Sequence, residues 1–139
     1  MIVKGIKELV AEAEAEIETV PVEAAIKLIG AADVQLVDLR DIRELWRDGT
    51  VPGSLHAPRG LLEFWVDPAS PYYKEVFGSG KKFVFFCAGG LRSALATQAV
   101  QRMGLKPVAH IAGGFEAWVK AGGPVEPREM PPPKPKKAS

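Results

Sequence analysis

Residues 83–103 read FVFFCAGGLRSALATQAVQRM, an apolar run followed by a glycine-containing loop and then a helix-like pattern. The run from Phe83 to Cys87 lacks the polar alternation that marks a strand with one solvated face. We therefore expect a strand covered on both faces, as the strands of parallel sheets are. A strand, a tight loop and a helix in succession predict an α/β fold.

The segment after the glycines predicts a helix from Ser93 to Met103, capped by Gly104. Leu95, Ala99 and Met103 recur at steps of four residues, and this spacing would place them together on the buried face of the helix.

The rest of the chain continues the alternation of strands and helices. Further strands are predicted at Val34–Leu39, near Leu55 and at Val108–Ile111. Further helices are predicted in segment 1–17, between Pro21 and Gly30, and at Ile42–Trp46, Leu61–Val66, Tyr72–Phe77 and Phe115–Ala121. This order implies parallel strands joined by right-handed crossovers.

The composition is that of one globular domain. The chain has 139 residues, of which 47% are hydrophobic and 25% charged. We expect an N-terminal amphipathic helix over residues 1–17 and the main domain over residues 18–126. Residues 127–139 are rich in Pro and Lys and have little apolar surface to bury, which predicts a disordered tail.

Charge and cysteine content argue against several classes of function. The net charge is +1, so no global basic field predicts binding to nucleic acid or to an anionic membrane. No apolar segment approaches the ~20 residues of a spanning helix, and the charged N-terminus does not resemble a signal peptide. The single cysteine excludes an intrachain disulfide and a multi-cysteine zinc site, and there are only two histidines. We expect a cytoplasmic protein without a bound metal.

Polar side chains follow three of the predicted strands. Asp38 and Arg40 lie at the end of the strand predicted at Val34–Leu39, and Cys87 ends the strand that begins at Phe83. His110 and Gly113 lie at the end of the strand predicted at Val108–Ile111. Because ligands of open α/β sheets bind beyond the carboxyl ends of the strands, we expect the functional site at this edge. The histidine is expected to be structural.

Cys87 is the candidate nucleophile. Its position alone favours a different interpretation, since a lone cysteine at the end of an apolar strand is usually an inert small hydrophobe. The loop that follows favours reactivity, because glycines let successive N–H groups point at one anion and the helix start adds its positive end. A thiolate at the centre of such a ring would be stabilised.

Arg92 is the candidate anion clamp. A cation at the N-terminus of a helix is locally unfavourable by about 0.3–1 kcal/mol. Residues that break a local rule often do so at functional sites. The alternative is a solvated arginine on an exposed first turn.

Three stretches of the sequence resemble the motifs of one family, the single-domain rhodaneses of bacterial type. CAGGLRS at residues 87–93 resembles their active-site loop. VDLR at residues 37–40 with Glu44, followed by GTVPGS at residues 49–54, resembles their upstream signature. GGFEAWVKAGGPV at residues 113–125 resembles their closing signature. Each motif is weak alone, but three in order give a match from about Thr19 to Val125.

The resemblance implies a single rhodanese-like domain with a five-stranded parallel sheet and helices on both faces. It also implies a thiosulfate sulfurtransferase that needs no cofactor. Cys87 would take sulfane sulfur from a small anionic donor, hold it as a persulfide, and pass it to cyanide or to a thiol, including a protein thiol. Arg92 would orient the donor. The other site residues would be Ala88, Gly89, Gly90, Leu91 and Ser93 in substrate binding, and Asp38 and Arg40 in support.

Other functions stay open. Cys-dependent phosphatases and arsenate reductases of the same fold have five residues between Cys and Arg, whereas four lie between Cys87 and Arg92. The shorter ring suits one persulfide sulfur better than a phosphoryl group. A non-enzymatic interaction module is the third candidate, and a thiol in a glycine loop argues against it. The uncharged residues 88–91 lack the extra basic groups of two-domain thiosulfate enzymes, so the donor is open.

Overall fold

The computed structural model describes residues 1–135, which form five strands and six α-helices. The strands are β1 (Glu18–Val20), β2 (Val34–Asp38), β3 (Leu55–His56), β4 (Lys82–Phe86) and β5 (Val108–Ile111). The helices are α1 (Ile6–Glu16), α2 (Val22–Ile26), α3 (Ile42–Asp48), α4 (Leu62–Val66), α5 (Leu91–Arg102) and α6 (Gly114–Lys120). Short 3-10 helices lie at Arg59–Leu61 and Glu75–Gly78.

The strands form one sheet in the order β1-β5-β4-β2-β3, and every neighbouring pair is parallel. In this register Asp38 pairs with Phe86, and Phe85 pairs with His110. The carboxyl ends of β2, β4 and β5 therefore meet at one edge, which confirms the predicted five-stranded parallel sheet and brings the three polar strand ends together.

Helices cover both faces of the sheet, which explains the apolar run in β4. Phe83 and Phe85 point to the face covered by α4 and α5. Val84 and Phe86 point to the face covered by α2 and α6. Because each face buries its own alternate residues, all four positions are apolar and almost fully buried.

Helix α1 packs on the outer side of α5. Val10 and Ala13 bury against Ala94, and Glu16 accepts hydrogen bonds from Gln98 and Arg102. The helix is shorter than the predicted segment 1–17, and its buried stripe is narrow.

The buried face of α5 differs from the prediction. Met103 is 45% exposed, and the buried residues of α5 are Ser93, Ala94, Ala96, Thr97 and Val100. The physical reason is that α5 lies between the sheet and α1. Close approach on both sides selects small residues, so the large aliphatic side chains do not mark the buried face.

Strand β1 was missed by the sequence analysis because it is a three-residue edge strand with two exposed positions. Other predicted elements differ in their bounds: Tyr72–Phe77 contains helical structure only from Glu75, and α2 ends before Gly30. None of the helices in residues 1–135 is long and apolar enough to cross a membrane.

The C-terminal segment leaves the domain after Glu126. Thr50 and Glu126 form an isolated antiparallel bridge, in which each backbone N–H donates to the other residue's carbonyl at 2.9 Å. Residues 127–135 are exposed and contain no helix or strand. The last four positions of the predicted tail, 136–139, lie outside the described residues.

Candidate active site

The sulfur of Cys87 lies directly after β4, where two backbone N–H groups of the following loop and helix donate to it; we call this arrangement the N–H ring. Its Sγ accepts hydrogen bonds from the N–H of Gly90 at 3.2 Å and from that of Ser93 at 3.4 Å. Cys87 is only 1% exposed. Gly90 has φ +104°, a left-handed conformation that glycine adopts without strain, and it lets the chain enter α5 with the N–H of Ser93 facing the sulfur. These dipoles stabilise negative charge on the sulfur.

The start of α6 fixes the loop from the other side. The N–H of Phe115 donates to the carbonyl of Cys87 at 2.8 Å, and that of Glu116 donates to the carbonyl of Ala88 at 3.0 Å. Gly114 makes this approach possible: it has φ +60°, and a Cβ there would lie 2.7 Å from the Ala88 oxygen. The closing motif of the sequence therefore clamps the carbonyls of the loop, while the N–H groups remain directed inward.

Ser93 connects the sulfur to a buried histidine. The Ser93 hydroxyl lies 3.6 Å from Sγ of Cys87, 3.3 Å from the carbonyl oxygen of Gly90 and 2.9 Å from Nδ1 of His110. His110 is 2% exposed, and burial lowers its pKa from the ordinary value of 6.5, while the charge of Glu14 opposes the shift.

Arg92 forms a two-pronged ion pair with Glu44. Its Nη1 and Nη2 each donate to one carboxylate oxygen at 2.9 Å. The hydrogen bonds from Arg92 hold the pKa of Glu44 below its ordinary value, and Glu44 in turn raises the pKa of Arg92, with a smaller increase from Cys87. The Arg92 side chain is 42% exposed, so the ion pair is only partly buried.

Asp38 and Arg40 bind each other and the turn at residues 49–50. Arg40 Nη2 donates to Asp38 Oδ2 at 2.7 Å and to the carbonyl of Gly49 at 2.8 Å, and the Thr50 hydroxyl donates to Asp38 at 2.8 Å. The Arg40 guanidinium also lies 4.1 Å from the ring centre of Phe115. Both charged side chains are almost fully buried. Their side-chain hydrogen bonds go to each other and to this turn, so the pair is placed to hold the turn rather than to contact a substrate.

The predicted site residues fall into three groups. The sulfur receives hydrogen bonds from the backbone of Gly90 and Ser93. Ala88 contributes a carbonyl that α6 holds, while Gly89 and Leu91 are exposed at the rim. Arg92 adjoins the ring but is paired with an acid, and no polar contact joins Asp38 or Arg40 to the sulfur in the described part of the chain.

Two neighbours of the site were not predicted as partners. Glu44 lies 48 residues before Arg92, and although it belongs to the upstream motif, nothing in the sequence pairs the two. His110 was placed at the correct sheet edge but was expected to be structural. The available signal was its place near the end of a predicted strand; in the sheet it is the parallel partner of Phe85, two residues before Cys87. His56, the other histidine, contacts the carbonyl of Arg40 instead.

Comparison with known proteins agrees with this arrangement. Residues 21–121 match the family model described as Rhodanese-like domain. The chain is 30% identical over 97 residues to thiosulfate sulfurtransferase/rhodanese-like domain-containing protein 3 of Mus musculus, covering 66% of this chain and 62% of that protein. It therefore spans less than two thirds of the mouse protein. It is 28% identical over 99 residues to a sulfurtransferase of Allochromatium vinosum, covering 71% of this chain and 84% of the relative.

Solved structures show the same fold. A protein from Rhodopseudomonas palustris, described as of unknown function and a possible tyrosine phosphatase, is 59% identical with a TM-score of 0.88, over 91% of this chain and 97% of that one. Thiosulfate sulfurtransferase from Pseudomonas aeruginosa is 25% identical with a TM-score of 0.67, over 81% of this chain and 20% of that one. With the family model matching most of the chain and the matching motifs lining one sheet edge, the chain belongs to the rhodanese-like domain family.

Proposed function

We propose that the protein is a sulfurtransferase in which Cys87 carries sulfane sulfur as a persulfide. The observation that carries the proposal is the buried sulfur at the end of β4, which accepts hydrogen bonds from the backbone N–H groups of Gly90 and Ser93. A ring of this kind stabilises the thiolate before transfer and the negative persulfide after it.

The reaction proceeds in two displacement steps. The Cys87 thiolate attacks the outer sulfur of a donor such as thiosulfate, an S–S bond forms, and the bond inside the donor breaks so that sulfite leaves with the electron pair. An acceptor then attacks the outer sulfur of the persulfide, and the thiolate returns. Cyanide yields thiocyanate, and a thiol, on a small molecule or on a protein, yields a new persulfide. This is covalent catalysis by one nucleophile, and it balances without a metal or an organic cofactor.

Arg92 orients the anionic donor in this proposal, and Glu44 limits how strongly it does so. A guanidinium binds an anion best when its planar fork is free. In the resting site the two Nη groups that form this fork are engaged by the Glu44 carboxylate. A dianionic donor must share or displace that carboxylate, so we expect thiosulfate to bind weakly and Glu44 to tune the preference among donors.

A second candidate is a Cys-dependent phosphatase. The observation in its favour is the description of the 59% identical Rhodopseudomonas palustris protein as a possible tyrosine phosphatase. The loop length argues against it, because four residues separate Cys87 from Arg92 and the N–H groups of Gly90 and Ser93 already point at the sulfur. A phosphoryl group needs donors spread around three oxygens.

The two candidates separate in one experiment. Thiocyanate formation from thiosulfate and cyanide, and hydrolysis of an aryl phosphate, are measured side by side on the wild type and on Cys87→Ser. We expect sulfur transfer by the wild type, none by the variant, and negligible phosphate release by both. Circular dichroism of the variant is the control for folding. Robust phosphate release that disappears in Cys87→Ser would establish the phosphatase instead, and substantial sulfur transfer by the variant would remove Cys87 as the carrier.

A further inference from the structure

The imidazole of His110 lies next to the site and is a buried polar group whose role the proposed mechanism does not explain. It lies at the end of β5 and is 2% exposed. Its Nδ1 is 2.9 Å from the Ser93 hydroxyl, while its Nε2 has no hydrogen-bond partner among the described residues. An unpaired buried polar atom is costly and is uncommon in folded proteins, so its retention calls for a physical reason.

The Ser93 hydroxyl has one proton and three neighbours that compete for it. It can donate to His110 or to the Gly90 carbonyl at 3.3 Å. The thiol of Cys87 donates to the Ser93 oxygen at 3.6 Å, and once Cys87 is a thiolate the hydroxyl can donate to the sulfur instead. If Nδ1 of His110 accepts, the proton points away from the sulfur. If Nδ1 carries a proton and donates, the hydroxyl accepts from His110 and its own proton is available to a thiolate or persulfide. The tautomer of His110 therefore decides what Ser93 offers to the sulfur.

The surroundings favour the donating tautomer. Burial holds the pKa of His110 below 6.5, so the ring is neutral at pH 7 and carries one proton. With that proton on Nδ1, the ring's N–H is paired with Ser93 and the atom without a partner is a bare acceptor nitrogen, whereas a proton on Nε2 would be a buried donor left unsatisfied. The titratable groups that face the ring are Glu14 of α1 and, through Ser93, Cys87 at the end of β4.

We propose that His110 is a positioning residue of this site: its neutral imidazole donates from Nδ1 to the Ser93 hydroxyl and so directs the hydroxyl proton to the sulfur of Cys87. The inference rests on the proposed function for its catalytic meaning, since the stabilised species would be the thiolate and the persulfide. Its geometric part concerns the thiolate of Cys87 without any bound sulfur and is tested without sulfur transfer.

The test is the rate of Cys87 alkylation by iodoacetamide as a function of pH. His110→Phe keeps a ring but removes the Nδ1 donor that fixes the orientation of the Ser93 hydroxyl. The Gly90 carbonyl at 3.3 Å then competes with the sulfur for the hydroxyl proton, and the hydrogen bond to the thiolate weakens. We expect the midpoint of the profile to move to higher pH by about 0.5–1 unit, the size of one lost hydrogen bond. His110→Asn restores a donor near Nδ1 and should restore most of the midpoint. His56→Phe removes the other histidine and should leave it unchanged.

Coupling through Ser93 is tested by the double variant. Ser93→Ala should shift the midpoint as His110→Phe does, and the two changes together should shift it no further than Ser93→Ala alone. A His110→Phe profile that overlays the wild type, while Ser93→Ala shifts, would overturn the proposal. So would a double variant whose two shifts add.

A second measurement needs no variant. The ¹⁵N chemical shifts of the His110 ring in the wild-type protein, at a pH where Cys87 is a thiolate, report which nitrogen carries the proton. We expect Nδ1–H, and a ring protonated on Nε2 alone or on both nitrogens contradicts the proposal. If alkylation and tautomer behave as expected but the wild type transfers no sulfur, the proposed function fails and the positioning role of His110 in this thiol site stands.

Discussion

Among single residues, Arg92 and Glu44 hold opposed roles at the site. The arginine adjoins the N–H ring, and its two Nη groups already bind a carboxylate. Ion pairs with partly exposed partners contribute about 0.2–1 kcal/mol, an amount that a bound dianion can replace. In the proposed function the pair would therefore tune donor affinity without blocking the site.

Glu44→Gln should strengthen the use of thiosulfate. Glutamine still caps α3, because it can accept from the backbone N–H of Asp41 as Glu44 does, but it no longer neutralises Arg92. We expect kcat/KM for thiosulfate to rise by up to about 5-fold, corresponding to about 1 kcal/mol.

The control for this change of charge is Glu18→Gln, which removes a carboxylate paired with Lys82 at the opposite edge of the sheet. It should leave kcat/KM unchanged. An unchanged or lower kcat/KM in Glu44→Gln would mean that Arg92 does not contact the donor, or that Glu44 holds it in its productive position.

Single residues also show how far the sequence predicts a site. Cys87 could be identified because a strand end and a glycine loop are local patterns. The partners Glu44 and His110 could not, since each meets its contact through the fold, from another strand or helix. Chemistry carried by one loop is visible in sequence, whereas the hydrogen bonds that orient it are long-range.

Among the elements, α6 is the one that fixes the active loop. Its first two N–H groups after Gly114 bind the carbonyls of Cys87 and Ala88. Because one of these hydrogen bonds goes to Cys87 itself, a small displacement of α6 should move the sulfur.

Gly114→Ala should damage both stability and sulfur transfer. The left-handed conformation costs a non-glycine residue about 1–2 kcal/mol, and the added Cβ would in addition meet the carbonyls of Cys87 and Ala88. We expect a lower melting temperature and a large loss of kcat.

Gly122→Ala provides the matched comparison, because Gly122 has φ +79° and nothing within 4 Å of its added Cβ. It should lose stability from strain alone and keep its kcat. Equal kcat losses in the two variants would show that α6 does not position the loop.

The sequence predicted a helix or strand correctly where its burial produces a recognisable pattern of apolar residues. Residues 83–86 of β4 form an apolar run, and β5 is apolar except for His110, because both faces of each strand are covered. Strand β1 has two exposed residues of three, so the spacing of large aliphatic residues could not predict the strand. Helix α5 buries small residues between two layers, so the same spacing could not predict which face of the helix is buried.

At the scale of the whole molecule, the domain closes with the bridge between Thr50 and Glu126. Thr50 also donates to buried Asp38, so the bridge joins the end of the domain to the Asp38–Arg40 pair. The division into a main domain ending at residue 126 and a tail after it remains a prediction, as does the cytoplasmic location.

Truncation tests that boundary. Removal of residues 127–139 should leave melting temperature and sulfur transfer unaltered, because residues 127–135 bury nothing. Removal of residues 125–139 should lower the melting temperature, since the two hydrogen bonds of the bridge contribute about 0.5–1.5 kcal/mol each. Equal stability of the two shortened chains, or a marked loss in the first, would place the boundary elsewhere.

The persulfide on Cys87 is tested most directly by the intact mass of the protein. The wild type is incubated with thiosulfate, or with a low-molecular-weight persulfide as an alternative donor, and then with cyanide, and Cys87→Ser is treated in parallel. We expect the wild type to gain the mass of one sulfur atom and to lose it to cyanide, while the variant gains nothing. A wild-type mass unchanged by both donors, or an equal gain on Cys87→Ser, would contradict the assignment of Cys87 as the sulfur carrier.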